Sequence, residues 1–549
     1  MSDSFSTFVR TGRPEFDELY PRIRGFLEQD ALDLVIDAKP VRGYRSPDGK
    51  SIWIRDHSDM MRGFRYFERD LTSAVEHFAE TQADNGRIFD FFTTIPEKLP
   101  SERENWAKYV RVPVEADVEF RFVKAAFLAW QATGNDDWIR RLLPKLEKAL
   151  HYVFNSPWRW EPSLQLVKRP YTIDTWDFAY TAGKHDWLQF QITDDTYWGI
   201  MHGDNSGYFQ AFQIMALLYG YFRQKRRASY WRQQAEGIRK RMNEVCWNGR
   251  FYTHFVKLTP VTIDGVEEDE QLSLSNPMDI NRGVCTQEMA ASIIGEYLRR
   301  RESTHSFAEW FSIDPPFPDG VFGDEKLVRG AYVNGGIMPL VGGELARAAF
   351  EHGFESYGVD ILRRYYQLIR DTNATFLWYF PDGRPSTRET STSPDATPTD
   401  GWGSSAMLYA FLEGLVGIED RLKQFAVVRL APRWPAADVQ ACEVQVCYEV
   451  SRSVFGYEYS NEGHALVIRT HSAPCQVQLH LLLPEGKSAR KLTVNGREVP
   501  FANSRIARSC YVDAEIACEK GTEIVVGLKE SLLNNGVEGA NVKNATSGN

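Results

Sequence analysis

The chain has 549 residues, 43% of them hydrophobic, with 64 Lys and Arg against 74 Asp and Glu for a formal net charge of -10. This is a globular composition long enough for more than one core, and it excludes disordered and fibrous classes. The acidic balance argues against a nucleic-acid partner, because phosphate binding draws on clustered Lys and Arg, and it favours a neutral or cationic ligand.

No run approaches the roughly 18 consecutive apolar residues of a membrane helix, and the first ten residues lack a basic stretch followed by an apolar one. The expectation is a cytoplasmic protein with no membrane partner. The seven cysteines are odd in number and show no C-x-x-C spacing, so they read as reduced, buried thiols rather than as metal ligands. The 15 Trp are numerous, and their flat apolar rings with a polar edge suit sugar faces as well as a core.

Residues 1–50 read as an N-terminal segment packing on the helical region after it. From residue 51 to residue 424 the pattern is one of paired amphipathic helices, with apolar residues at i, i+3, i+4 and i+7. The pairs fall at 57–68 with 70–83, 117–130 with 137–150, 205–224 with 227–245, 286–302 with a poorly defined partner, 338–352 with 355–372, and 404–416 with the chain directly after it. In the second pair Gly134 ends one helix and Asn135 caps the next. The links between pairs, notably 156–203, 247–284, 312–336 and 373–403, are long and rich in Trp, Asp, Gly and Pro, which is where function is expected. Six hairpins with elaborate loops on one side predict a mainly α toroid, an inner ring of helices inside an outer one. No repeat of about 34 residues is visible, which weighs against a tetratricopeptide array. Over 425–530 short alternating runs separated by Asn461-Glu-Gly463 and Val494-Asn-Gly496 predict an antiparallel β-sandwich. Residues 531–549 hold few large apolar residues and read as a disordered tail.

Four segments carry candidate chemistry. In Trp53-Ile-Arg-Asp56 a bidentate donor, an acceptor and a stacking face lie together, a kit for gripping vicinal hydroxyls; the plainer reading is a helix cap with a local ion pair. Thr172-Ile-Asp-Thr-Trp-Asp-Phe-Ala-Tyr180 leads into Met201-His-Gly-Asp-Asn205. Carboxylates beside Trp176, Phe178 and Tyr180 can leave one protonated near neutral pH, since apolar surroundings and like charge both raise a carboxyl pKa. Tyr332-Val-Asn-Gly-Gly-Ile-Met-Pro339 opens a helix, and the loop Thr375 to Asp400 holds Glu389 ahead of Gly401-Trp-Gly-Ser-Ser405.

These segments, in this order, resemble the (α/α)6-barrel glycoside hydrolases. Trp53-Ile-Arg55-Asp56 is similar to the aromatic-x-Arg-Asp signature of glucoamylases and debranching glucosidases, whose Arg-Asp pair holds the terminal sugar. Trp176-Asp177-Phe178 resembles the trehalase Glu-Ser-Gly-Trp-Asp-Phe pattern, in which the Asp is the acid, with Ile-Asp-Thr in place of the leading residues. Asp204 falls on a later family position, and Asn334 in a Tyr-x-Asn-Gly-Gly-x-Trp-Pro motif. The resemblance implies an exo-acting glycosidase with Asp177 as acid and Glu389 as base. Trp53, Arg55, Asp56, Trp176, Asp204, Asn334 and Trp402 would bind the sugar, and no cofactor or metal would be needed. Asp174 and Asp204 stay open as acids, and Asp382, Asp395 and Asp400 as bases. The linkage implied is an α-glucoside, with α-L-rhamnoside next because of the C-terminal sandwich. A non-catalytic sugar-binding protein and a polysaccharide lyase are the competing readings.

Overall fold

The computed structural model describes residues 5–45, 51–94, 114–174, 176, 178–184, 192–391 and 397–531. Six helices, Ile54–Phe64, Val118–Thr133, His202–Tyr221, Ser275–Arg282, Pro339–Glu351 and Gly401–Tyr409, form a succession in which each packs on the next. The last packs back on the first, so the contacts close into a ring. These inner helices are apolar or engaged on every side; from Val118 to Ala132 almost every residue is buried.

Outside the ring lie Asp136–Asn155, Lys225–Cys246, Gln287–Ser303 and Glu355–Thr372, each against the inner helix before it. Their pattern is one-sided. In Lys225–Cys246 only Ala228, Trp231, Ala235, Ile238, Met242 and Cys246 are buried, the stripe of a helix with one face on a core. The link between the second pair forms as its sequence predicts: Gly134 adopts φ 68°, and the Asn135 side chain accepts from Trp138 N at 3.0 Å.

Three pairings differ from the sequence expectation. Ser73–Glu80, expected against the first inner helix, packs instead on Val118–Thr133 and on the strand Lys39–Tyr44. The inner helix of the fourth pair is Ser275–Arg282, inside the stretch read as a connection, and the 286–302 pattern is its outer partner. At eight residues Ser275–Arg282 is too short to show periodicity. The partner of the last inner helix is not the chain directly after it but Leu19–Asp30, which packs against Gly401–Tyr409 from the other end of the sequence. The chain after that inner helix turns to strand, beginning at Ile418 rather than near 425.

The C-terminal strands make two sheets, of seven and five strands. Pairing is antiparallel except where Val427–Leu430 runs parallel to Cys475–Leu482. Asn495 and Gly496 both take positive φ (49° and 76°), which an Asn-Gly hairpin turn requires. The seven-stranded sheet ends on Phe8–Arg10, with Val9 opposite Val444, so the N-terminal residues contribute an edge strand. Sheet and ring are tied at Glu351, which pairs with Arg347 on its own helix and with Arg429 (2.6 Å) and Arg433 (2.7 Å) from the strand region. All seven cysteines are free thiols. Among the described residues no helix is long and apolar enough to cross a membrane.

Candidate functional site at the N-terminal end of the helical ring

The inner helices all begin at one end of the ring. Arg55 in the first turn of the first helix bonds Asp117 at the start of the second. A Cβ on Gly203 would lie 2.3 Å from Ser275 Oγ, and one on Gly403 2.9 Å from Leu340 N, so the other first turns are neighbours too. Helix N-termini carry partial positive charge and attract carboxylates. Asp56, Asp204 and Asp400 occupy such positions, and Glu115 and Asp117 precede another.

Arg55 is a bidentate donor, as its neighbourhood in sequence suggests, but its acceptors come from another helix. Nε donates to Asp117 Oδ2 at 2.7 Å, and Nη2 to Glu115 Oε1 at 2.8 Å and Asp117 Oδ1 at 2.9 Å. Against the upward push of burial, Arg55 and Arg121 hold the Asp117 carboxyl down to about 2. Arg121 then bridges inward, Nε to Asp117 Oδ2 at 3.3 Å and Nη1 to Asp59 Oδ2 at 2.5 Å. Asp59 Oδ2 also accepts from Trp402 Nε1 at 2.8 Å. Trp402 meets Trp176 edge to face, centroids 5.6 Å apart. The Trp176 carbonyl accepts from Arg169 Nη2 at 2.8 Å, and Arg169 Nη1 reaches Asp204 at 3.3 Å. Four of the expected residues, Arg55, Trp402, Trp176 and Asp204, are therefore joined in one buried chain of contacts.

The residues that join them, Asp117, Arg121, Asp59 and Arg169, carry no sequence signal of their own. The Glu115-Ala-Asp117 acidic step before a helix is the one local feature that could have pointed there. Burial raises the Asp204 carboxyl, with Arg169 pulling the other way. Trp176 donates to Tyr332 Oη at 2.7 Å, and Phe178 lies 5.9 Å from the same ring, so both neighbours of Asp177 pack on Tyr332. Asp177 itself lies outside the described residues, as do Asp395 and the tail beyond Ser531.

The remaining candidates are placed differently. Trp53 stacks on Phe91 with centroids 4.4 Å apart, and Asp56 is buried at 8% exposure. Asn334 has its amide committed to main chain: Oδ1 accepts from Phe317 N at 2.7 Å, and Nδ2 donates to Phe317 O and Leu327 O. It holds the loop ahead of Pro339 rather than presenting a free amide. Asp174, at φ 42°, accepts from Ser275 Oγ at 2.6 Å and Ser275 N at 3.2 Å, which fixes both of its oxygens. Asp400 caps its helix through Trp402 N and Gly403 N, and burial lifts it to about 6. Asp382 is exposed and paired with Arg384 at 2.7 Å. Glu389 is exposed in a turn, its carboxylate held below the usual range by the Thr387 hydroxyl, and it stands outside the buried chain of contacts.

One further constellation looks like hydrolytic machinery. His202 Nδ1 lies 2.5 Å from Asp279 Oδ2 and Nε2 lies 3.1 Å from Ser273 Oγ. All three side chains are fully buried, so no acyl group can reach the hydroxyl, and the trio braces the third and fourth inner helices.

No protein-family model matches the chain, and no curated protein matches it. Its fold is similar to that of the α-L-rhamnosidase from Dictyoglumus thermophilum, at 10% identity and TM-score 0.58, covering 95% of this chain and 51% of that one. The Streptomyces avermitilis α-L-rhamnosidase complexed with L-rhamnose matches at 13% identity and TM-score 0.59, covering 96% of this chain and 42% of that one. The GH63 mannosylglycerate hydrolase from Thermus thermophilus matches at 11% identity and TM-score 0.50, covering 72% of this chain and 99% of that one. The chain thus spans about half the length of the two rhamnosidases. At such identities the likeness is one of fold: these neighbours are glycoside hydrolases, and this chain shares their arrangement of a helical domain with sheet.

Proposed function

We propose that the chain is an exo-acting glycoside hydrolase that releases a terminal α-linked sugar from an oligosaccharide or glycoside. The observation that carries this reading is the buried chain of aromatic rings, guanidinium groups and carboxylates from Arg55 through Asp59, Trp402 and Trp176 to Asp204, at one end of a fold similar to that of glycosidases. Indole faces stack on the apolar face of a pyranose ring, and ion-paired carboxylates take its hydroxyls.

The reaction is single displacement with inversion. Asp177, between Trp176 and Phe178 in the sequence, is the acid that protonates the leaving oxygen, because apolar neighbours favour the neutral carboxyl. Glu389, ionised at neutral pH, is the base that takes a proton from water on the opposite face, with roughly 6.5–9.5 Å between the two carboxyl groups when substrate is bound. Trp53, Arg55, Asp56, Trp176 and Trp402 hold the sugar, while Asn334 shapes the loop beside them. Asp204, raised by burial, is the next acid.

Two linkages are favoured by different observations. The motifs that resemble those of trehalases and glucosidases favour an α-glucoside, and the fold likeness to α-L-rhamnosidases over 95–96% of this chain favours an α-L-rhamnoside. A panel of aryl α- and β-glycosides, with the product anomer followed by NMR, separates them. Asp177→Asn and Glu389→Gln are each expected to lower turnover by about 10²–10⁴-fold with little change in melting temperature. Full activity in either variant removes that residue from the mechanism, and a retained anomer rejects inversion. Sugar binding without hydrolysis favours the non-catalytic reading, and unsaturated, ultraviolet-absorbing products favour a lyase.

A further inference from the structure

The ring has a concavity at its other end, where the inner helices finish. A cavity of about 400 Å³ lies there, within the roughly 300–1,000 Å³ typical of small-molecule sites. Its lining comes from the middle and C-terminal parts of the inner helices, and the Asp59–Arg121–Trp402 layer separates it from the N-terminal site. Asp59 alone, at the cavity floor, belongs also to the chain of contacts described above.

The inner wall of this cavity carries more positive charge than it neutralises. Arg62, Lys124 and Arg282 line it, and Arg121 stands directly behind. Arg121 also has Asp117 at 3.3 Å, which leaves the three lining cations with two carboxylates, Asp59 and Glu344. Asp59 takes Lys124 Nζ at 2.8 Å and Arg121 at 2.5 Å, while Glu344 pairs with Arg62 and accepts from Asn281 at 2.7 Å. Behind them Arg55 and Arg121 are balanced by Glu115 and Asp117, so the unmatched cation on the wall is Arg282. Arg282 directs Nη1 to neutral groups, the Gly203 carbonyl at 2.7 Å and Ser206 Oγ at 2.8 Å. Arg62, 6% exposed, has an Nη2 that makes no hydrogen bond and lies 3.9 Å from the nearest Asp59 oxygen. Burial, with Arg62, Arg121 and Arg282 nearby, pushes the Lys124 ammonium down to about 7 even though Asp59 opposes this. Such a surplus out of water is costly unless an anion completes it.

The remaining walls add neutral polar groups, Gln131, Gln210 and Gln213, and an aromatic edge from Phe127 and Tyr409. Of the acids near the opening, Glu413 pairs with Arg65 at 2.5 Å and Glu419 with Arg421 at 2.6 Å, while Asp420 accepts from the Leu422 and Phe425 main-chain N–H groups. We propose that this cavity is a second ligand site, taking a small polyhydroxylated carboxylic acid whose carboxylate meets Arg62, Lys124 and Arg282 and whose hydroxyls meet the glutamines. The inference does not rest on the glycosidase reading, since of the residues used for that reading only Asp59, which takes no part in catalysis or sugar binding, lines the cavity.

The test is isothermal titration of the full chain with D-glucuronate and D-glucose, which share the ring and differ at one carbon. Glucuronate is expected to bind at least tenfold more tightly than glucose. Lys124→Met is expected to lower glucuronate affinity at least tenfold, and Asp59 keeps Arg121 and Trp402 as partners in that variant. Gln213→Ala, at an exposed wall position, is expected to weaken binding several-fold with no change in melting temperature. Asp177→Asn is expected to leave glucuronate affinity unchanged, whether or not it abolishes hydrolysis. Absent glucuronate binding, equal affinity for glucose, an unaltered Lys124→Met or Gln213→Ala variant, or loss of binding in Asp177→Asn each overturns the proposal.

Discussion

Arg55 sits at 12% side-chain exposure between two carboxylates at 1%. Removing one member of such a group leaves the others charged and out of water, and Arg55→Met is expected to lower unfolding free energy by about 3–5 kcal/mol in chemical denaturation. Arg55→Lys recovers only part of this, because an ammonium cannot fork to two acceptors. Asp117 supplies a pH signature. Its folded value of about 2 lies below an unfolded value of about 3.9, so its contribution is full above pH 4 and fades as the pH falls through 2. That contribution is on the order of 2 kcal/mol, and Asp117→Asn is expected to flatten the stability profile between pH 4 and pH 2. The type of interaction at Arg55 was legible in Trp53-Ile-Arg-Asp56. Its partners, 60 and 62 positions away, were not, because no local pattern encodes which helix a guanidinium will face.

Among elements, the outer helices were the easiest to read and the short inner ones the hardest. An outer helix has one wet face, so burial leaves a period in its sequence, as in Lys225–Cys246. An inner helix such as Val118–Thr133 is surrounded and leaves a weaker one. Its signature is small residues where backbones meet. A Cβ on Gly343 would lie 2.4 Å from the Ala406 carbonyl carbon, main chain that cannot swing aside. Gly343→Ala is therefore expected to push the fifth and sixth inner helices apart and to destabilise the chain by about 1–3 kcal/mol, read as a shifted denaturation midpoint. Substitution at Gly249, where the added carbon meets nothing within 4 Å, tests only the backbone strain of its positive φ of 98°.

At the scale of the molecule the decisive contacts run between the ends of the chain. Leu19–Asp30 covers the last inner helix and Phe8–Arg10 extends the seven-stranded sheet, so the N-terminal residues serve both parts of the fold. Glu351 joins those parts by facing Arg347, Arg429 and Arg433, the last at 0% side-chain exposure. Glu351→Gln is expected to remove about 3 kcal/mol and to split calorimetric unfolding into separate helical and sheet transitions, where the unaltered chain gives one. A single transition in the variant would show that the junction depends on other contacts.

The sequence by itself determined what local physics can write into a chain: the helical period, the Gly134–Asn135 link, the Asn495-Gly496 turn, the change from helix to strand, and the presence of rings and carboxylates in the long loops. Tertiary structure alone decided which helix closes the ring, that Asn334 holds main chain, that Glu389 faces water, and that Asp117, Arg121, Asp59 and Arg169 connect the other candidates. The reason is one of range. Capping, turns and amphipathicity act over a few residues, whereas ring closure and buried ion pairs are set by contacts between residues tens to hundreds of positions apart, where the stabilising energy depends on geometry that no short segment contains.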